Sequence, residues 1–430
     1  MKNRTVKNAA WIIGCKIIQA ILGLVITMLS ARYLGPSGYG LINYAASIVA
    51  FFIPVMQLGL NATLVQEIVN EPEKEGEALG TALTMSFTSS FACIIGITTF
   101  SALLNQGEIT AIVVCVLYSI LLIFQSLEMI QYWFQAKLLS KYTSIAMLAS
   151  YVIVSIYKIV LLITGSHLYW FAISQALDYG IIAVVLLIIY RKMGTQKLCF
   201  SWQRAQKMFA RSKHYILSGL MVTIFSQTDK IMLKMMVDES AVGYYSAAVN
   251  CAAMTTFVFV AIIDSARPSI LEGKIESQSI FQDRLKMLYA IVISLALVQS
   301  VFITLLANPL VSILYGPEYD PTINALKIIV WYTTFSYIGS VRDIWILSEG
   351  KQHLLWIMNL CGALTNVILN AILIPIWGMN GAAVASLVTQ IFTNVLMGYI
   401  IKPIRENNRL MVQALNPKSL ITGVTQVLKK

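Results

Sequence analysis

The stretch RKMGTQKLCFSWQRAQKMFARSK, residues 191–213, is the longest polar interruption in a chain of 430 residues that is otherwise dominated by apolar runs. It contains seven Lys or Arg residues and no acid. On both sides of it lie runs of about 18 or more mostly apolar residues, and such runs are typical of helices that cross a membrane. The stretch therefore separates two sets of membrane-spanning helices.

The composition indicates a membrane protein along the whole chain. Hydrophobic residues make up 58% of it and charged residues only 12%, with a mean hydropathy of +0.74, whereas soluble proteins have about 25% charged residues. The sequence predicts an all-α, polytopic membrane protein with about twelve transmembrane helices. In chain order, the predicted spans 1 to 12 are residues 10–33, 41–66, 80–104, 110–133, 143–164, 168–190, 214–237, 242–265, 287–307, 323–347, 354–376 and 379–401.

Basic residues in the loops fall on only one side of the predicted membrane. Of the 31 Lys and Arg residues, 24 lie in the two tails or in alternate loops, seven lie inside spans, and none lies in the remaining loops. Cytoplasmic loops of membrane proteins carry this excess of positive charge. We therefore expect a multi-pass membrane protein with both termini in the cytoplasm.

The two sets of six spans are predicted to be related. Six is an even number, so the second set enters the membrane in the same direction as the first. Residues 40–45 resemble 243–248, and residues 158–174 resemble 370–386, in the same order along the chain. The sequence thus predicts two six-helix lobes, related as a parallel repeat, around a central cavity. The predicted domains are an N-terminal lobe (1–190), a basic cytoplasmic linker (191–213), a C-terminal lobe (214–401) and a basic cytoplasmic tail (402–430) that is surface-lying or disordered.

Several functional classes find no support in the sequence. The net charge of +11 does not indicate nucleic-acid binding, because the bases flank helices and suit the anionic headgroups of membrane lipids. No HExxH, GxxxxGK[ST] or GxSxG motif occurs, and the short predicted external loops leave no room for a catalytic domain. These absences lead us to expect no enzyme activity and no cofactor. The six cysteines form no CxxC pair, so we expect no metal site.

Polar side chains recur at helical spacing inside several spans, where hydrocarbon offers them no hydrogen-bond partners. Uncharged groups of this kind are also ordinary contacts between packed helices. An ionised group near the midplane costs roughly 2.5–3.5 kcal/mol and needs water or a partner. Bases outnumber acids in the outer half of the spans, which favours an anionic ligand. The residues predicted to line a substrate cavity are Lys16, Arg32, Asn43, Asn61, Lys158, Gln227, Lys230, Lys234, Asn250, Asn366 and Asn370.

Three acids in the spans are candidates for coupling transport to an ion, namely Asp178, Asp229 and Asp264. A carboxylate whose protonation changes between two states could perform this coupling. The alternative is that these acids only neutralise nearby lysines. Asp229 lies about 100° around its helix from Lys230, so under that alternative it would pair with a cation on an adjacent helix.

Five segments resemble one family of transporters. They are ARYLGPSGYG at residues 31–40, QTDK at 227–230, VGYY at 242–245, LYGPEY at 314–319, and the stretch from Asn370 through Ile374 and Pro375 to GMNGAA at 378–383. With all five in order, residues 1 to about 403 are similar to the bacterial polysaccharide repeat-unit flippases, of O-antigen and capsule type. That family belongs to the multidrug/oligosaccharidyl-lipid/polysaccharide exporter superfamily.

The resemblance implies alternating access through a cationic central cavity and export of an undecaprenyl-pyrophosphate-linked oligosaccharide for surface polysaccharide synthesis. Membrane lipids, a polysaccharide polymerase and other export components are the partners expected for such a protein. Two other functions stay open. One is a multidrug and toxin extrusion-type cation antiporter, which would need buried carboxylates. The other is a flippase for a lipid-linked peptidoglycan precursor. A third alternative is a membrane polymerase or ligase that acts on the same lipid. The short external loops argue against it.

Overall fold

The computed structural model describes residues 2–194 and 196–415, with the side chains of residues 2–13, 16 and 17 outside that description. Every regular element among the described residues is a helix. This confirms the all-α prediction.

Glycine breaks shape the helices that precede the 191–213 stretch. Gly35 has a φ of 65° and interrupts the first helix directly before Pro36, so that spans 1 and 2 are two helices joined at a kink. A positive φ is accessible to glycine because it has no Cβ. The helices of this part are Lys2–Met56, Leu60–Asn70, Glu75–Leu104, Ile109–Ser119, Leu121–Leu127, Ile130–Ala136, Ser140–Ile163 and Leu168–Met193.

The remaining helices contain a second glycine break. Gly378, with a φ of 56°, separates spans 11 and 12, and a bend of 44° divides span 8. The helices of this part are Trp202–Met236, Glu239–Ala253, Thr256–Glu276, Gln278–Leu305, Ala307–Leu314, Thr322–Ser348, His353–Ile391, Met397–Ile400 and Arg405–Ala414, with a π-helical turn at Phe392–Leu396.

The helices account for all twelve predicted spans. Among the described residues, seven helices are long and apolar enough to cross a membrane, or eight if the bent pair of span 8 is one span. Two of the seven, Ile18–Asn70 and His353–Ile400, each contain a glycine break and therefore two spans. Helices Trp202–Met236 and Thr322–Ser348 cover predicted spans 7 and 10 and complete the set. The chain is thus a multi-pass membrane protein.

The chain divides into two compact units, unit 1 (Met1–Gln227) and unit 2 (Thr228–Lys430). The division falls inside the helix Trp202–Met236, so this helix contributes to both units. Helix Leu168–Met193 ends within the 191–213 stretch and Trp202–Met236 begins within it, so most of the predicted linker is helical. Residues 191–213 were predicted to be a linker because of their polar composition, but most of them belong to these two helices. The four predicted domains themselves stay a prediction.

The start of the predicted tail is part of the packing of unit 2. Helix Arg405–Ala414 lies against Gln278–Leu305 and buries Leu410 and Met411 in the core. The Tyr289 hydroxyl donates to Asn407 Oδ1 at 3.0 Å. This part of the tail is therefore not a disordered anchor, because its apolar face has a core to cover. Residues 416–430 lie outside the described residues.

Candidate ion and substrate site

A buried carboxylate in unit 2 receives hydrogen bonds from side chains of other helical segments. Asp229, in helix Trp202–Met236, is only 5% exposed. The hydroxyls of Tyr245 and Ser386 donate to its Oδ2 at 2.5 and 2.6 Å, and Asn370 Nδ2 donates to its Oδ1 at 2.5 Å. These neutral donors replace the water that a buried carboxylate would otherwise need. We call these four residues the Asp229 site.

One helical segment supplies two sides of the Asp229 site. Asn366 Oδ1 accepts a hydrogen bond from Asn370 Nδ2 at 3.0 Å, because residues four apart lie on the same face of a helix. Ser386 lies beyond the break at Gly378 in the same segment, His353–Ile391. The break thus allows residues from spans 11 and 12 to reach one carboxylate.

Three of the predicted site residues come together here: Asp229, Asn366 and Asn370. Tyr245 and Ser386 were not predicted, because isolated hydroxyls in spans were interpreted as packing contacts. A signal for both existed, since Tyr245 ends the VGYY segment and Ser386 ends the second half of the 370–386 repeat match. Three hydrogen bonds to the Asp229 carboxylate come from neutral groups on other helical segments, and Lys230 of the same helix also interacts electrostatically with Asp229.

Two lysines share the helix of Asp229. Lys234 is buried, and its Nζ lies 3.1 Å from Glu239 Oε2 in an ion pair that was not predicted. Lys230 is half-buried and follows Asp229 directly in the chain. Glu239 therefore neutralises Lys234, and Lys230 is the basic residue closest to the Asp229 site along this helix.

Unit 1 contains a second polar group within its spans. Asp178 is half-buried, and its Oδ1 accepts from the Ser150 hydroxyl at 2.6 Å. Lys158, also half-buried, is close enough to interact electrostatically with Asp178. The buried Glu128, which was not predicted, also interacts with Asp178. Lys158 offsets part of the charge of these two acids, in keeping with the alternative that Asp178 only neutralises a lysine.

The predicted amides of unit 1 have ordinary partners. Asn43 Nδ2 donates to the Tyr39 carbonyl at 2.8 Å, and Asn61 Nδ2 donates to Gln57 Oε1 at 2.9 Å. The first bond joins residues four apart in one helix, and the second joins Asn61 to the turn that precedes its helix. Gln227 differs, because its Oε1 accepts from the Ser47 hydroxyl of span 2 at 3.1 Å. Gln227 therefore links span 7 to span 2.

Arg32, Asn250, Lys16 and Asp264 are the remaining predicted residues. Arg32 is exposed and Asn250 half-buried, while the side chain of Lys16 lies outside the described residues. The side chain of Asp264 is 59% exposed, and its Oδ1 lies 3.3 Å from Arg267 Nη2. Asp264 lies in helix Thr256–Glu276, which continues beyond predicted span 8, and its part in ion coupling stays a prediction. The central cavity stays a prediction.

The chemistry of the Asp229 site is that of oxygen ligands. No group of three or more His, Cys, Asp or Glu residues that could hold a metal ion occurs in the part of the chain that the structure describes. Asp229 instead combines one carboxylate with neighbouring hydroxyl and amide oxygens. Oxygen atoms of this kind are the ligands that hard cations prefer.

Two sequence comparisons relate the chain to known proteins. A family model described as polysaccharide biosynthesis protein matches residues 5–274. An uncharacterized membrane protein of Methanocaldococcus jannaschii is 24% identical over 230 residues, which cover 50% of this chain and 45% of that protein. The chain thus aligns with about half the length of this curated relative.

Solved transporters have a similar fold. The inward closed conformation of the lipid II flippase MurJ matches with a TM-score of 0.72 and 16% identity, over 97% of this chain and 92% of that one. An inward-facing multidrug resistance MATE family transporter of the MOP superfamily matches at 0.66 and 14%, over 93% and 96%. A MOP superfamily transporter from Pyrococcus furiosus, with a binding pocket of reverse polarity, matches at 0.59 and 14%, over 93% and 95%. Identities this low show the fold alone.

Proposed function

Because the chain belongs to the polysaccharide biosynthesis protein family, we propose that it is a lipid-linked oligosaccharide flippase. It moves undecaprenyl-pyrophosphate-linked repeat units from the cytoplasmic to the outer leaflet by alternating access, for surface polysaccharide synthesis. The pyrophosphate and the sugars cross among the helices, while the apolar polyprenyl tail stays in lipid. A polymerase and other export components would receive the product.

The observation that supports this proposal is the presence of basic side chains inside apolar spans. Lys158 and Lys230 are both half-buried within spans of unit 1 and unit 2, and Arg32 lies near the end of span 1. Ionisable groups within a membrane are costly, and they mark binding sites or ion pathways. A pyrophosphate supplies the complementary charge, and an arginine can bind its oxygens in a bidentate manner.

The substrate proposal is tested by charge removal. Purified protein in vesicles should flip a fluorescent lipid-linked oligosaccharide, and the lipid that becomes accessible from outside is measured over time. We expect Lys230→Ala and Arg32→Ala each to lower the initial rate about tenfold, because a buried anion would lose its partner. Lys327→Ala, at another half-buried lysine in a span, is the matched control. Wild-type rates in both site variants would exclude these residues from the substrate site.

Two other substrates are compared in the same vesicles. The fold likeness to the lipid II flippase MurJ favours testing a lipid-linked peptidoglycan precursor. The buried Asp229, together with the likeness to MATE transporters, favours testing efflux of a cationic dye, since a cation antiporter needs buried carboxylates. Faster transport of either compound than of the lipid-linked oligosaccharide would replace the proposed function.

The membrane orientation is part of the same proposal. The one-sided distribution of Lys and Arg supports a bacterial cytoplasmic membrane location with both termini in the cytoplasm. A reporter that is active only outside should therefore work when fused after Gly38, Asp238 or Asp320. It should fail when fused after Lys197 or Lys274. Activity of the Lys197 fusion would contradict this orientation.

A further inference from the structure

The turn after helix Leu168–Met193 forms a pocket of about 390 Å³ in unit 1. It is lined by Leu187, Tyr190, Arg191, Gly194, Gln196, Lys197 and Leu198. All seven residues belong to the described part of the chain, and none of them is acidic. A pocket with cationic and apolar walls suits an amphiphilic molecule with a negatively charged head.

The segment on one side of the pocket is held in place by hydrogen bonds to the turn between spans 2 and 3. Gln196 Nε2 donates to the Pro72 carbonyl at 2.9 Å, and Gln196 Oε1 accepts from the Gly76 N–H at 3.0 Å. A Cβ on Gly76 would lie only 2.5 Å from the Lys197 carbonyl oxygen. The close approach of the two backbones therefore depends on glycine and fixes the position of Lys197.

The opposite wall is fixed by aromatic packing. The ring of Tyr190 lies edge-on to Trp133, with centroids 5.1 Å apart, and its hydroxyl donates to the Gln196 carbonyl at 3.4 Å. A Cβ on Gly194 would lie 3.0 Å from the Tyr190 ring, so glycine allows the chain to turn closely around it. Both walls are thus formed before a ligand binds, which lowers the entropy lost on binding.

Exposed aromatic rings continue the surface beyond the pocket. Phe200 is 47% exposed and Trp202 is 68% exposed, and their ring centroids are 6.3 Å apart. The side chain of Lys192 is exposed at the end of the preceding helix. Aromatic rings beside basic residues are typical of the membrane–water interface, where the ring reaches apolar lipid and the base stays at headgroup level.

We propose that this surface binds an anionic phospholipid of the membrane leaflet that it faces. The Arg191 guanidinium and the Lys197 ammonium hold the headgroup phosphate, and Leu198 contacts the glycerol and the start of the acyl chains. Phe200 and Trp202 lie among the acyl chains of this lipid and its neighbours. The charge of the pocket selects an anionic lipid over a zwitterionic one, and the site does not depend on the proposed transport function.

Brominated lipids test this site in the full-length protein. Wild type and Trp202→Phe are placed in nanodiscs that contain equal small fractions of brominated phosphatidylglycerol or brominated phosphatidylcholine. The fluorescence difference between the two proteins reports Trp202, and we expect stronger quenching by the anionic lipid. Arg191→Gln with Lys197→Gln should lower the apparent affinity for the anionic lipid about tenfold. Arg267→Gln with Lys286→Gln removes the same charge from unit 2 and should leave the affinity unchanged.

Other outcomes overturn the proposal. Equal quenching by both lipids would show no selection of the anionic headgroup. Loss of the preference in the presence of soluble glycerol phosphate would identify a site for a free phosphate compound instead of a lipid. Native mass spectrometry of the wild-type protein gives a measurement that needs no variant. We expect phosphatidylglycerol to be retained in excess over phosphatidylcholine after release from mixed nanodiscs, and equal retention would contradict the proposal.

Discussion

Two buried carboxylates, Asp229 in unit 2 and Glu67 in unit 1, are stabilised in different ways. Neutral hydroxyl and amide groups donate to Asp229. Glu67 is 3% exposed and contacts two guanidinium groups, with Arg204 Nη1 at 2.9 Å from Oε2 and Arg211 Nη1 at 2.6 Å from Oε1. We call the second arrangement the Glu67 network.

The two carboxylates differ in the groups that surround them. Glu67 contacts the buried guanidinium of Arg204 and the exposed one of Arg211, and removing Arg204 would leave its buried carboxylate short of a charged partner. The Glu67 network therefore fastens the start of helix Trp202–Met236 to helix Leu60–Asn70. Asp229 is surrounded by groups that can rotate or exchange donor for acceptor. We propose that the Asp229 site takes part in ion coupling.

The largest effect is expected from breaking the Glu67 network. Arg204 is 8% exposed and also contacts Glu71 at 2.7 Å. Arg204→Met should lower the free energy of unfolding by about 3 kcal/mol, because it leaves the buried Glu67 short of a partner. Arg267→Met breaks the exposed pair with Asp264 and should cost less than about 1 kcal/mol. Thermal unfolding in detergent measures both. If both variants lose the same free energy of unfolding, the buried ion pair is no more stabilising than the exposed one.

Charge removal at Asp229 is expected to affect transport more than stability. Asp229→Asn keeps the shape of the side chain, so the unfolding temperature should stay close to that of the wild type. The transport rate should lose its dependence on an imposed proton or sodium gradient, a loss on the order of 100-fold if the coupling is strong. Asp178→Asn is the comparison. Under the alternative that Asp178 only neutralises Lys158, this variant should retain gradient dependence.

The results with the two acids have clear alternatives. A wild-type protein that ignores both gradients would exclude coupling by either ion. If Asp229→Asn keeps gradient dependence and Asp178→Asn loses it, then Asp178 rather than Asp229 is the coupling residue. The measurement is the initial rate of substrate flipping in vesicles, with each gradient imposed separately.

A smaller effect is expected where the 196–201 segment contacts helix Glu75–Leu104. A Cβ on Gly80 would lie 2.5 Å from the Cys199 carbonyl oxygen, so Gly80→Ala forces the two backbones apart. We expect a stability loss of about 1–3 kcal/mol and faster amide exchange in residues 196–201. Gly14→Ala is the matched control, since a Cβ there would meet no atom within 4 Å. If amide exchange in residues 196–201 is unchanged in Gly80→Ala, the two backbones can move apart at little cost.

The smallest effect concerns acid pH. The hydrogen bond from Arg204 and its positive charge lower the pKa of Glu71 below its ordinary value of 4.5. A hydrogen bond from Ser201 lowers the pKa of Glu77, and burial opposes part of that change. Because the pKa values are lower in the folded state, the stabilisation is complete above about pH 4.5 and is lost as the pH falls below it.

The pH effect is measured with a fluorophore on the exposed Cys199. The mobility of the fluorophore should increase as the pH falls below about 4.5. In Glu71→Gln its mobility should already be higher above that pH. A mobility that rises instead between pH 6 and 8 would point to a different titrating group.

The sequence alone determined the helices and most of the polar positions. Long apolar runs can satisfy their backbone groups in a membrane only as helices or closed barrels, so all twelve spans could be predicted. Asn366 and Asn370 were predicted because helical spacing places them on a common face, and Asp229 was predicted as an acid deep inside a span. The break at Gly35 was visible as the GPSG turn at residues 35–38, because glycine permits the positive φ that a sharp change of direction needs.

Only the tertiary structure decided which polar groups meet. Ser386 and Asp229 are 157 residues apart in the chain, and Tyr289 and Asn407 are 118 apart. Composition and periodicity assign a residue to a face of its own helix, but they carry no information about which other helix packs against that face. The sequence does not show whether a hydroxyl in a span donates to a carbonyl of its own helix or to a buried carboxylate on another one. The packing of the helices makes that choice, because a buried carboxylate is stable only where enough donors from neighbouring helices converge on it.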